Sequence, residues 1–130
     1  MAKEGPSILL DTNIVIEVLS NRRSVSDLNP KETSSISTIT ILELYALAGI
    51  GSTEEELIEH TLKDLDVLPV TQEIAKIAGK LARTRPNQYH RADLLIAATA
   101  IEYQIPLLTK TKNTRDFARI KNLQIVTLNV

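Results

Sequence analysis

Four acidic residues lie at positions along the chain from which they could act together. Asp11 ends a short apolar run, and Glu43 lies inside an apolar stretch that offers little room for a solvent-facing side. Asp93 opens the most apolar helix-like segment, and Asp116 follows a later apolar run. Close carboxylates repel each other by about 4 kcal/mol per pair at an effective dielectric of about 20. A group of them therefore requires protonation or a bound cation.

The composition restricts the cation that such a group would hold. The chain has no cysteine and only two histidines, so oxygen atoms are the main available ligands. Oxygen ligands favour Mg²⁺ or Mn²⁺, and magnesium keeps several waters and often bridges to phosphate oxygens. The acids therefore indicate phosphate-ester chemistry in which a metal-activated water attacks, and no side-chain nucleophile is required.

Each acid also has a simpler interpretation. Asp11 and Asp93 precede helix-like segments, and aspartate is a common N-cap residue. Glu43 could face solvent on its helix, and Asp116 could be an ordinary surface charge. These alternatives stay open for each residue taken alone, whereas convergence of all four would be harder to explain without a shared site.

Strands and helices alternate along the chain. Five short runs are predicted as strands, at Ser7–Asp11, Ser34–Thr38, Val67–Val70, Ile105–Thr109 and Leu123–Thr127, with helix-spaced segments between them. Strands that are apolar throughout are typical of a parallel sheet covered on both faces. The sequence therefore predicts one α/β domain over residues 1–130. Ligands of such sheets bind at the carboxyl ends of the strands, close to the predicted positions of the acids.

Charge is divided unevenly between the two parts of the chain. Residues 1–75 carry 5 Lys or Arg and 13 Asp or Glu, whereas residues 76–130 carry 10 and 3. This asymmetry favours a polyanionic partner near an acidic site, although solvated helix faces explain part of it. Aromatic residues make up 3%, which disfavours a module that stacks several bases on rings. Because no apolar run reaches membrane-spanning length and no signal-peptide pattern is present, we expect a cytoplasmic protein.

Four segments in order resemble the PIN-domain family and, within it, the small VapC-type toxins. They are Leu-Leu-Asp11-Thr-Asn13, Ser-Thr-Ile-Thr-Ile-Leu-Glu43-Leu, Arg-Ala-Asp93-Leu-Leu-Ile-Ala-Ala-Thr-Ala100 and Asn113-Thr-Arg-Asp116-Phe117. The resemblance spans nearly the whole chain. It implies a flavodoxin-like three-layer α/β/α sandwich with a parallel sheet of about five strands. It also implies an endoribonuclease that depends on Mg²⁺ or Mn²⁺.

The resemblance also implies roles for individual residues. The acidic quartet corresponds to residues that hold the metal, with the glutamate binding directly or through water: Asp11, Glu43, Asp93 and Asp116. Supporting positions correspond to Thr12, Asn13 and Asn113. The family often has a further threonine between the strand and the last acid. Thr109 and Thr111 are both candidates here, and we favour Thr111.

Partners follow from the same resemblance. Basic side chains around the last acid would hold the backbone of an RNA substrate, with a solvated loop as the alternative: Lys110, Lys112, Arg115, Arg119 and Lys121. A VapC-type toxin pairs with a VapB-type antitoxin that inserts an arginine or an apolar helix into the acidic site. It also forms a homodimer, for which Tyr45 and the apolar residues around Glu43 and Leu57 are candidate contacts.

Three other functions match parts of the sequence. A response-regulator receiver domain shares the architecture and binds Mg²⁺, but it requires an acidic pair after strand one and an aspartate ending strand three. In this chain strand one ends in a single acid and strand three reads Val-Leu-Pro-Val-Thr71, so the receiver-domain interpretation fails. A PIN-type nuclease of RNA processing or decay, or one that cuts DNA, stays open. So does a non-catalytic module that binds nucleic acid or protein, although four carboxylates disfavour a polyanion.

Overall fold

A sheet of five parallel strands forms the centre of the fold in the structure, a computed structural model that describes residues 7–28, 33–85 and 87–130. The strand order is β3-β2-β1-β4-β5. The strands are β1 (Ile8–Leu10), β2 (Ser34–Ser37), β3 (Asp66–Leu68), β4 (Leu107–Lys110) and β5 (Ile125–Leu128). The prediction of about five parallel strands is confirmed.

The described residues also form five α-helices that connect these strands. They are α1 (Thr12–Ser20), α2 (Thr38–Tyr45), α3 (Ser52–Leu62), α4 (Gln72–Thr84) and α5 (Arg91–Tyr103). Short 3-10 helices lie at Val25–Asp27 and Thr111–Phe117. In this part of the chain, no helix combines the length and apolar character that crossing a membrane requires.

Alternate residues of β1 pack on opposite faces of the sheet. Ile8 and Leu10 belong to one buried cluster with Val15 of α1, whereas Leu9 belongs to a second cluster with Ile96 of α5. Full burial of an aliphatic side chain of this size stabilises the folded state by about 1.5–3 kcal/mol. Helices therefore cover both faces of the sheet, and α4 packs against α5 through a third apolar cluster. The predicted three-layer α/β/α sandwich is confirmed.

The order in which strands are added to the sheet reverses beside β1. It runs from β1 through β2 to β3 on one side, and it later returns to β4 on the other side of β1. In parallel sheets, the crevice at such a switch point lies outside the carboxyl ends of the strands and is the usual ligand site. Asp11 directly follows β1, and Thr109 lies near the carboxyl end of β4. The fold therefore places both residues at this crevice.

Candidate active site

Asp11 is almost completely buried, with 1% of its surface exposed. It occupies the N-cap position of α1, but its side chain makes no capping hydrogen bond. Instead, Oδ2 accepts a 2.8 Å hydrogen bond from Thr109 Oγ1 and a 3.3 Å hydrogen bond from Asn13 Nδ2. Burial raises the pKa of Asp11, and these hydrogen bonds oppose the rise. The helix-cap interpretation therefore does not describe this carboxylate, which side chains hold in place.

Glu43 on α2 is held by two buried hydroxyl groups. Thr12 Oγ1 donates a 2.6 Å hydrogen bond to Glu43 Oε1, and Thr40 Oγ1 lies 3.0 Å from Thr12 Oγ1. The hydroxyl of Thr12 has one proton, which it gives to Glu43, so Thr40 is the donor in the second hydrogen bond. Thr40 was not among the site residues predicted from the sequence. Its position three residues before Glu43, on the same side of one helix, was the available signal.

Asp93 lies in the first turn of α5, where the charges of the other three acids act on it. His90 is the N-cap of this helix, so Asp93 is not its cap. Burial, followed by the charges of Asp11, Asp116 and Glu43, raises the pKa of Asp93 to about 7, whereas His90 opposes the rise. Because charge interactions weaken with distance, these effects indicate that the other three acids lie on the same side of the fold as Asp93.

Asp116 lies half-buried on the 3-10 helix Thr111–Phe117. The adjacent Phe117 is 1% exposed and anchors this segment in the core. Across residues 7–28, 33–85 and 87–130, no group of three or more His, Asp or Glu side chains is arranged so that it could hold a metal ion. Magnesium commonly uses only one or two carboxylates and completes its shell with water and phosphate.

The threonine that contacts Asp11 is Thr109. Leu10 pairs with Leu108 in the sheet, and the backbone N–H of Asp11 donates a 2.9 Å hydrogen bond to the Leu108 carbonyl. This register places Thr109 opposite Asp11. Thr111 lies beyond β4 and is exposed, so the supporting role favoured for it stays a prediction, whereas Thr109 is the threonine that contacts Asp11. Of the two predicted asparagines, Asn13 contacts Asp11, and Asn113 lies half-buried on the 3-10 helix.

The basic residues predicted to contact RNA are divided between two environments. Lys110 Nζ lies 2.7 Å from Glu17 Oε1, so an RNA phosphate would compete with a carboxylate of the same chain. The pKa of Glu17 is held below its usual range by the hydrogen bond from Lys110. The other four side chains are exposed after β4: Lys112, Arg115, Arg119 and Lys121.

Known proteins are similar to this chain in sequence and in fold. The family model described as PIN domain matches residues 8–123. Ribonuclease VapC of Rickettsia bellii is 32% identical, with 93% of this chain and 96% of that protein covered. VapBC-1 from nontypeable Haemophilus influenzae is 31% identical with a TM-score of 0.75, covering 92% of this chain and 96% of the other.

A more distant structure has the same fold. VapBC2 from Rickettsia felis, bound to a DNA fragment from its promoter, gives a TM-score of 0.80 at 23% identity. The match covers 94% of this chain and 98% of the other. The resemblance found in the four sequence segments is therefore confirmed by the match over residues 8–123. The chain belongs to the PIN domain family.

Proposed function

We propose that this chain is a metal-dependent endoribonuclease that acts in the cytoplasm as the toxin of a type II toxin–antitoxin pair. The observation that carries this proposal is the buried Asp11 carboxylate at the carboxyl end of β1, which Thr109 and Asn13 hold, with Glu43 joined to the adjacent Thr12. The charges of Asp11, Asp116 and Glu43, which help burial to raise the pKa of Asp93, support a shared acidic site. Similarity to a ribonuclease VapC and to VapBC complexes supports the same function. A bound cation would offset the mutual repulsion of the acids.

The acids are the proposed catalytic residues and metal ligands. Asp11, Asp93 and Asp116 would hold Mg²⁺ or Mn²⁺, and Glu43 would bind directly or through water. The donor set fits such an ion because it consists of carboxylate oxygens, of which magnesium commonly needs only one or two. When bound, the ion supplies Lewis-acid activation of water and neutralises the negative charge that develops on the phosphate.

The surrounding residues orient the acids. Two side-chain hydrogen bonds to the Asp11 carboxylate end on Oδ2, and they come from Thr109 and Asn13. They fix the orientation of this carboxylate. Thr12 orients Glu43 in the same way. Because these partners are neutral, they orient the acids without cancelling the charge that attracts a cation.

The proposed partners are an RNA substrate, a VapB-type antitoxin and a second copy of the chain. Leu42, next to Glu43, is 62% exposed, and Leu47 is 38% exposed. Apolar surface beside a functional site is typical of an interaction surface. The hydroxyl of Tyr45 donates to Glu59 within the chain, so its ring would be the part that contacts a partner. Light scattering that shows a monomer at high micromolar concentration would contradict the dimer.

An RNA cleavage assay with Mg²⁺ or Mn²⁺ tests the activity. We expect cleavage by the wild type, and a loss of at least about 100-fold with EDTA or with Asp11→Asn. Asp64→Asn, which removes an exposed charge after α3, is the matched control and should leave the rate unchanged. Undiminished cleavage in EDTA would contradict the mechanism. Cleavage of DNA alone, or binding without cleavage, would favour the alternative functions.

A further inference from the structure

A cavity of about 490 Å³ lies between α4, α5 and the segment that follows the 3-10 helix. Four cationic side chains contribute to its lining and form what we call the basic rim: Lys80, Arg85, Arg119 and Lys121. Aspartate and glutamate are absent from the lining among the described residues. Within the same residues, none of the four rim side chains takes part in an ion pair. The rim therefore has a positive potential that attracts a polyanion.

The rest of the cavity wall is mostly apolar. Three aliphatic side chains from α4 and α5 line it, namely Ile77, Leu81 and Ile101, together with the ring of Tyr89. The hydroxyl of Tyr89 donates to the Ala118 carbonyl, which ties the ring to the segment that carries part of the rim. Nucleobases bind to flat aromatic and apolar surfaces, whereas their phosphates require cations. The cavity offers both surfaces side by side.

The backbone at one wall of the cavity adopts an uncommon conformation. Arg119 has a φ angle of 63° and Asn122 has a φ angle of 69°, both in the left-handed region. Asparagine tolerates this region, but arginine adopts it rarely, and such residues cluster at ligand sites. The turn they form carries two of the four rim cations. This conformation supports a binding role for the wall.

We propose that this cavity binds one unpaired nucleotide of an RNA strand, with its base on the apolar wall and its neighbouring phosphates on the basic rim. The inference rests on the proposed ribonuclease function for the identity of the ligand. Arg119 lies three residues after Asp116, so one strand would extend from the acids to the cavity. An acidic peptide would match the rim alone, whereas a nucleotide matches the rim and the apolar wall.

Binding of a labelled RNA to two double variants tests the rim. The rim variant is Lys80→Ala with Arg85→Ala. The matched control is Lys76→Ala with Arg83→Ala, which removes the same charge from exposed positions on α4, outside the cavity. The probe is a fluorescein-labelled oligouridine, measured by fluorescence anisotropy in EDTA. Thermal melting verifies that both variants fold.

We expect the rim variant to raise the Kd at least about tenfold and the control to raise it less than about threefold. The slope of the logarithm of the association constant against the logarithm of salt concentration should become shallower by about 1.4 in the rim variant. The variant loses two cations, and each contact with a single-strand phosphate contributes about 0.7 to the slope. Equal weakening in both variants would overturn the proposal. So would unchanged RNA binding by the rim variant, which is the outcome expected if the cavity binds an acidic peptide.

Competition experiments test the contribution of the base. Unlabelled oligouridine should displace the probe better than inorganic polyphosphate of equal charge, because only the RNA contacts the apolar wall. Equal competition would overturn the base contact. Failure of this inference is distinguishable from failure of the proposed function. Cleavage without a binding difference between the variants contradicts the cavity alone, and a binding difference without cleavage contradicts the ribonuclease alone.

Discussion

The hydroxyl of Thr109 donates a 2.8 Å hydrogen bond to Oδ2 of Asp11 and joins the two strands that border the switch point. The two residues are 98 positions apart in the sequence, and both are buried. They lie opposite each other because Leu10 pairs with Leu108 one position earlier. The orientation of the first acid therefore depends on the register between β1 and β4.

Thr109→Val should remove this hydrogen bond while it keeps the shape of the side chain. A buried acceptor that loses a donor costs about 1–3 kcal/mol, so we expect the free energy of unfolding to fall by that amount. RNA cleavage should fall at least about tenfold, since the Asp11 carboxylate is less firmly oriented. Urea unfolding and a cleavage assay measure the two effects.

Two control variants accompany this measurement. Thr109→Ser keeps the hydroxyl and should restore most of the activity. Thr111→Val changes the exposed threonine two residues later and should leave stability and cleavage unchanged. A larger loss with Thr111→Val than with Thr109→Val would contradict the register that the structure shows.

The sequence predicted features that depend on local patterns and missed those that depend on pairing between distant segments. Asp11 was placed at a strand end because the apolar run before it is local. The contact between Thr109 and Asp11 could not be predicted from local sequence, because the register between β1 and β4 decides it. The contact between Lys110 and Glu17 likewise depends on packing of α1 beside β4.

Asp93→Asn separates a shared acidic site from a purely structural role. Removal of one charge relieves repulsion among the acids, so the metal-free variant should be at least as stable as the wild type. The wild type should gain about 2.7 kcal/mol at a hundredfold excess of metal over its Kd, and the variant should gain much less. Thermal melting with and without Mn²⁺ measures this difference.

The control for Asp93→Asn is Glu102→Gln, an exposed change on the same helix. This control should show the full metal-induced shift and normal RNA cleavage. If Asp93→Asn and the wild type have equal metal-induced stabilisation and equal RNA cleavage, Asp93 has only a structural role at the start of α5.

The raised pKa of Asp93 predicts a pH dependence for the metal-free protein. Its pKa is about 7 in the folded state, against an ordinary value of 3.8. Between these values the unfolded chain loses the proton and the folded chain keeps it, so the folded state becomes relatively less stable as the pH rises. This loss is complete above about pH 8. At lower pH, below the ordinary value, Asp93 makes no contribution.

Urea unfolding in EDTA at about pH 5 and about pH 8 measures this effect. The stability advantage of Asp93→Asn over the wild type should be larger at about pH 8 than at about pH 5, because only the wild type loses stability through this carboxyl. Comparison of the two proteins cancels the titration of groups that do not interact with Asp93, including Glu17, whose lowered pKa acts in the opposite direction. An advantage that is equal at both pH values would argue against the repulsion among the acids.

Thr40→Val tests whether buried hydroxyl groups orient Glu43. The substitution removes the hydrogen bond that Thr40 donates to Thr12. The Thr12 hydroxyl, which donates to Glu43, is then less firmly oriented. We expect kcat for RNA cleavage to fall about tenfold with little change in KM, because the acids and not the RNA contacts are disturbed. Thr40→Ser keeps the hydroxyl and should recover most of the kcat.

Stability must be separated from orientation in this comparison. Thr99→Val is the control, since Thr99 is also fully buried and donates to the Leu95 carbonyl within α5. Both valine variants lose one buried hydrogen bond, so the free energy of unfolding should fall by about 1 kcal/mol in each. Only Thr40→Val should lower kcat, because only Thr40 is linked to an acid. A matching fall in kcat for Thr99→Val would show that general destabilisation, and not the position of Glu43, limits the reaction.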